Sequence, residues 1–195
     1  MKVKLVGFLA PALFLAVGAM AQTPASAPAA APVKVNDDVW AVFEDSQTKL
    51  AKLANAFPQE KYTWRPMDGV RSVSEVFLHE AAANYGVARA LGTPPPADLK
   101  LGPDFDKSTT EKAKIIELMT ASFEHLKKAL AAADPDKMVG PPDRQRSSRR
   151  VMIGYAAHSH EHLGQSIAYA RMNGITPPWT EEAQQRQQQQ PKKSN

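Results

Sequence analysis

The chain of 195 residues is 43% hydrophobic, 23% charged and 7% aromatic, with no cysteine, enough material for one modest globular domain with appendages. The missing sulfur excludes disulfide scaffolds, thiolate zinc fingers, iron–sulfur clusters, covalently attached c-type haem and cysteine nucleophiles, so any metal must be held by His or carboxylate. The formal charge of +4 comes from the ends, Lys2 and Lys4 at the start and Arg186, Lys192 and Lys193 at the finish. The stretch between is nearly neutral, which argues against a nucleic-acid partner.

Residues 1–21 have the layout of a secretory signal peptide: two lysines, an apolar run broken by Pro11 and Gly18, and Ala19-Met20-Ala21 before Gln22. The run is too short to cross a ~30 Å hydrocarbon core. The sequence therefore predicts a mature chain from Gln22 that is periplasmic or secreted and keeps no integral membrane anchor after cleavage. Residues 22–34, rich in Ala, Pro and Ser, predict a flexible linker. The folded domain is expected over 35–180, and the Gln- and Lys-rich segment 181–195 is expected to be a disordered tail.

Four amphipathic helices are predicted between the ends, with no run of alternating β-branched residues. The first, 37–57, sets Trp40, Phe43, Gln47, Leu50, Ala54 and Phe57 along one stripe before Pro58. The second opens at the capping box Ser72-Val73-Ser74-Glu75 and stops at Gly92. The third is expected to repeat that device at Ser108-Thr109-Thr110-Glu111, with Ile116, Met119, Phe123, Leu126 and Leu130 on one face. The fourth starts near Ser147 or Ser148 and carries Val151, Tyr155, His158, His162, Gln165 and Tyr169 to Asn173, with Gly174 closing it. The fold class is all-α, a four-helix bundle with one longer crossover between the second and third helices.

Five histidines offer chemistry. At ~100° per residue His158 and His162 stand ~40° apart on the inward stripe, so both imidazoles reach a common point. His160 falls ~200° away from His158, and His125 about as far from Phe123, so both are expected in solvent. His79 shares its face with Val76, Ala83, Gly86 and Ala90, small neighbours that leave room for a pocket. Two readings of the inward pair stay open on spacing: metal ligands, or a polar core satisfied by Tyr155, Gln165 or buried water. If His79 meets the pair, three neutral imidazoles and an open position make a catalytic rather than a structural divalent site, with zinc or nickel as the ion. Glu75, Tyr155 and Gln165 are the candidates for supporting a ligand or touching substrate. Glu161 is a further acid near the stripe, and Glu75 also serves the capping box. The arginines at 144, 146, 149 and 150 read as a solvated loop.

The segments Tyr62-Thr63-Trp64-Arg65-Pro66, Val70 through His79, His158-Ser159-His160-Glu161-His162-Leu163-Gly164-Gln165 and Tyr169 through Ile175 with Pro177-Pro178 resemble the DinB-like, damage-inducible family of metal-binding four-helix bundles. The resemblance spans about 39–179. It implies a divalent ion on His79, His158 and His162. Characterised members of that family include thiol-dependent S-transferases and a mycothiol-dependent isomerase, which implies a thiolate at the open metal position. The expected function is an exported metal-dependent hydrolase or transferase acting on an unknown small molecule. The alternative is a non-catalytic metal- or ligand-binding bundle linked to stress. A metal-free interaction bundle, for example a homodimer using an exposed helix face, is a further reading; a non-covalent haem bundle with Met and His ligands is another.

Overall fold

The structure, a computed structural model, describes residues 35–189. The expected signal peptide 1–21 and linker 22–34 lie outside the described residues, as do residues 190–195.

Four long helices, α1 Val35–Ala56, α2 Val73–Ala90, α3 Lys112–Ala132 and α4 Ser148–Met172, pack as a ring. α2 lies against α3 and α4, and α1 lies against the same two, so α1 and α2 occupy opposite corners. The capping box forms as the sequence implies: Ser72 Oγ accepts from the Glu75 amide at 3.3 Å while Glu75 Oε2 accepts from the Ser72 amide at 2.7 Å. At the other end Leu91 is followed by Gly92 with φ +101°, a left-handed residue that turns the chain out of the helix. Ser147 caps α4 by accepting from the Arg150 amide at 3.2 Å, and Asn173 and Gly174 (φ +73°) close it.

The longer crossover, residues 91–111, carries a 3₁₀ turn over Phe105–Lys107 that seats Phe105 in the core. The connection 133–147 holds a short antiparallel pair, Met138–Val139 with Arg146–Ser147. Within it and the first turn of α4, Arg144, Arg146 and Arg150 are exposed, and Arg149 pairs with Asp136 at 2.6 Å.

Three expectations need correction. The capping box at Ser108 does not form: α3 begins at Lys112, and its first amide is met by Gln59 Oε1 at 2.8 Å, while Gln59 Nε2 donates to Thr110 O at 2.9 Å. The buried stripe of α3 keeps the expected Met119, Leu126 and Leu130 but is rotated to take in Ile115, Ser122 and Ala129, with Ile116 and Phe123 only half-buried. The segment expected to be disordered from 181 is helical as far as Gln189, in α5 Pro178–Gln189. Lys52 bonds Glu182 at 2.7 Å and Lys49 stands 5.9 Å over the Trp179 ring, which hold α5 to α1.

The core is split in two. One half gathers Leu50, Leu53, Phe57, Tyr62, Phe77, Leu78 and Ile115; the other gathers Val39, Phe43, Ala88, Leu126, Leu130, Met152 and Tyr155. Each large side chain so buried contributes about 1.5–3 kcal/mol. Between the halves all four helices contribute polar residues at one level: Ser46 and Gln47 from α1, Glu80 and Asn84 from α2, Ser122 from α3 and Ser159 from α4, every one buried. The bonds that satisfy them include Ser46–Ser159 (3.1 Å), Gln47–Asn84 (3.3 Å), Asn84–Ser122 (3.0 Å) and Tyr155 Oη to Asn84 Oδ1 (2.7 Å). A buried polar layer of this kind ties the helices into a single register.

Candidate metal centre

The seam between α2 and α4 brings His79, His158 and His162 together. One ring nitrogen from each lies within 4.8 Å of the other two, and the ring centroids stand 5.3 Å (79–158), 4.7 Å (79–162) and 4.5 Å (158–162) apart. Donors around a tetrahedral ion with ~2.05 Å bonds sit about 3.4 Å from one another, so small side-chain rotations close the remaining gap. No other trio of His, Cys or acidic residues is so placed among the described residues. All three rings are half-buried at the edge of the core rather than inside it. The inward face of α4 is carried instead by Met152, Tyr155, Ser159, Leu163 and Ser166.

Burial and neighbouring charge hold two of the three imidazoles, His79 and His158, in the neutral form. Burial, then the charge of Arg71, then the other two imidazoles lower His79 to about 4, against the opposing pull of Asp106. Burial and His162 lower His158 as well, with Glu161 opposing. Both rings therefore present lone pairs at neutral pH, the form a metal requires. His162 is oriented by a directed chain: its Nδ1–H donates to Gln165 Oε1 at 2.8 Å, Gln165 Nε2 donates to Tyr169 Oη at 3.0 Å, and that hydroxyl donates to the Arg71 carbonyl at 3.0 Å. This fixes the tautomer and frees Nε2 as the donor atom. His158 Nε2 is buried without a hydrogen-bond partner, as is Glu80 Oε1, 3.6 Å from it. An unpaired buried nitrogen on one of three converging imidazoles fits a divalent cation.

Glu80 was not among the sequence candidates. It is 1% exposed, its Oε2 accepts from Gln47 (3.3 Å), Ser159 (3.2 Å) and Tyr155 (3.4 Å), and burial raises its carboxyl to about 7 despite those bonds. Through it the polar layer of the core ends at the edge of the histidine cluster. The sequence signal was present, an acid beside His79 aimed ~100° away from it toward the core.

The other candidates separate. Tyr155 stacks on His158 at 5.5 Å. Glu75 is held by the capping box and by Arg65 Nη2 at 3.1 Å, and makes no bond to the histidines. His160 is exposed with Nδ1 bonded to the Ala156 carbonyl at 2.8 Å. His125, expected in solvent, is half-buried instead: its ring packs 5.2 Å from Tyr85 because the rotated α3 stripe turns that face toward α2. An apolar cavity of about 610 Å³ opens on the opposite, α1–α3 seam and shares no lining residue with the cluster.

Residues 43–166 match the profile of the DinB superfamily. Among solved structures the chain is similar to a DinB-like protein from Bacillus cereus ATCC 10987, with a TM-score of 0.62 and 16% identity over 73% of this chain and 95% of that one. No curated protein sequence matches.

Proposed function

This chain belongs to the DinB superfamily, and from that premise we propose that it is an exported protein that holds a divalent ion on His79, His158 and His162 and uses it as a metal-dependent hydrolase or transferase on a small molecule. One observation carries the reading: three imidazoles converge with no carboxylate among them, the donor set that leaves a coordination position for substrate. Zinc is the first choice of ion and nickel the second, on the preference of imidazole donors. A bound ion would supply Lewis acidity at that position. The chain's own contribution is to keep His79 and His158 deprotonated, to fix His162 through Gln165 and Tyr169, and to place Tyr155 against the His158 ring. The leader pattern of residues 1–21 supports export, and the near-neutral domain supports a small-molecule rather than nucleic-acid partner.

A second reading, a metal-binding bundle without turnover, is favoured by one feature. The carboxylate nearest the cluster, Glu80, is 1% exposed and engaged by three donors, so it is poorly placed to reach a substrate proton. Metal analysis of the purified protein beside His158→Ala and His162→Ala separates the cases. One ion per wild-type chain, lost in both variants, supports the site; equal metal content in all three refutes it. Hydrolysis of ester and amide probes and thiol transfer, each abolished by the same variants, supports the enzyme; a metal-loaded protein inert to all of them supports the second reading.

A further inference from the structure

A polar cleft of about 640 Å³ adjoins the histidine cluster, lined by Arg65, Arg71, Glu75, Asp106, Lys107 and Gln165 among others, a size suited to a small molecule. Gln165 belongs to both places, facing the cleft and bonding His162 at 2.8 Å. Arg71 belongs to both as well, since its carbonyl anchors the Tyr169–Gln165–His162 chain while its guanidinium faces the cleft.

The charges lining the cleft are not equally engaged. Glu75 and Arg65 form a closed unit: Glu75 is bonded by the Ser72 amide and Arg65 Nη2, and Arg65 Nη1 donates to the Val70 carbonyl at 2.8 Å. Lys107 is mostly exposed and reaches Asp104 only at 3.5 Å. Arg71 gives Asp106 its Nε at 3.2 Å and makes no other side-chain hydrogen bond among the described residues; its side chain is 41% exposed. The two terminal nitrogens therefore leave a planar fork of donors open to the cleft, the geometry that takes a carboxylate by two parallel bonds. The three ligands themselves are imidazoles and add no negative charge; Glu80, 3.6 Å from His158, can supply at most one against a dication's two, which leaves a net positive charge that would attract an anion into the same space.

We propose that the substrate or ligand of this site is a small organic acid whose carboxylate is bound by the Arg71 guanidinium while the rest of the molecule extends toward His79, His158 and His162. This rests on the metal-site reading above and names the substrate class for it. Arg71 is the specificity-determining residue, and Asp106 holds its guanidinium in the cleft while competing for it.

The test is calorimetric binding of malonate, succinate and glutarate, with the uncharged succinamide as control, to the Co²⁺-loaded and metal-free full-length protein, together with the visible spectrum of the bound Co²⁺. At least one of the dicarboxylates is expected to bind the loaded protein at least tenfold more tightly than succinamide and to perturb the Co²⁺ spectrum. Arg71→Gln should weaken that binding at least tenfold at unchanged Co²⁺ stoichiometry and circular dichroism, and Arg71→Lys should restore part of it. Asp106→Asn, which removes the competing negative charge while its amide oxygen can still accept from Arg71 Nε, should tighten it severalfold, and it serves as the test if Arg71→Gln does not fold. Equal affinity for succinamide, an Arg71→Gln variant as tight as wild type, or an Asp106→Asn variant with unchanged affinity would overturn the proposal. If Co²⁺ binds stoichiometrically and the anions ignore Arg71, this inference falls and the metal site stands. If Co²⁺ fails to bind wild type, the metal reading itself falls, and Arg71-independent anion binding by the metal-free protein then removes this one too.

Discussion

Replacing Glu80 by Gln is the most informative single change, because it removes one proton equilibrium and almost no volume. Burial lifts this carboxyl from 4.5 to about 7. Below pH 4.5 the folded and unfolded chains both hold the proton, and the lifted pKa costs nothing. Between 4.5 and 7 the folded chain retains a proton that the unfolded chain has released, so stability falls by about 1.4 kcal/mol for each pH unit upward. Above 7 both forms are ionised and the whole penalty stands, about 3 kcal/mol for the fully developed difference. Glu80→Gln cannot titrate, so its stability relative to wild type should climb by roughly that amount between pH 4.5 and 7.5. His79 and His158 titrate in the opposite sense, but both are present in both proteins, so their contributions largely cancel in the difference. The assay is urea unfolding of both proteins, metal-free, at half-unit pH intervals. The absolute offset depends on how the amide meets the Gln47, Ser159 and Tyr155 donors; the slope does not. A difference that is flat with pH would refute the claim that this carboxyl is held in a desolvated layer.

Three other outcomes follow from the same geometry. Gln165→Leu removes the acceptor that fixes the His162 tautomer and should lower metal affinity about 10- to 100-fold, read by competition with a chromophoric chelator, while urea unfolding of the metal-free protein changes little. In a Glu80→Gln background the metal-free protein should lose stability as pH falls from 6.5 toward 4, because His79 is lowered to about 4 in the fold and the unfolded chain takes up the proton first; pH-independent midpoints across that window would contradict the neutral cluster. Phe77→Ala, at a side chain 1% exposed between Phe57 and Tyr62, should cost about 3–5 kcal/mol, measured by thermal or urea unfolding.

The bundle was legible because its signals are local. Ser72 and Glu75 are three residues apart and satisfy each other's amides, Ser147 caps its own helix, and Gly92 and Gly174 turn the chain at the ends of α2 and α4. The misread start of α3 shows where locality fails. Ser108-Thr109-Thr110-Glu111 has the right letters, but burial of Phe105 fixes a 3₁₀ turn that uses Ser108 to close itself, and the orphan amide at Lys112 is taken by Gln59 from across the fold. A cap supplied by a residue 53 positions away leaves no trace in a four-residue window. The helix in α5 has a similar cause: a Gln-rich stretch has no apolar stripe, and contacts from Lys49 and Lys52 on α1 hold its first turns.

At the histidine cluster the same distinction decides what could be foreseen. His158 and His162 announce themselves by an i, i+4 repeat, but the polar layer beneath them does not, because Ser46, Gln47, Asn84, Ser122 and Ser159 each look like an ordinary interruption of an apolar face. Only when four helices are set side by side do those interruptions fall at one level and join through hydrogen bonds. Consecutive residues on α2 then divide the work: His79 turns to the seam with α4, while Glu80, rotated ~100° about the helix, enters the layer and presents its unpaired Oε1 to His158 Nε2 at 3.6 Å. The layer gives up apolar burial in the middle of the core, a cost that hydrogen bonding at best offsets. Its position is explained by function better than by stability, since it fixes the relative register of α2 and α4, and that register decides whether three imidazoles meet.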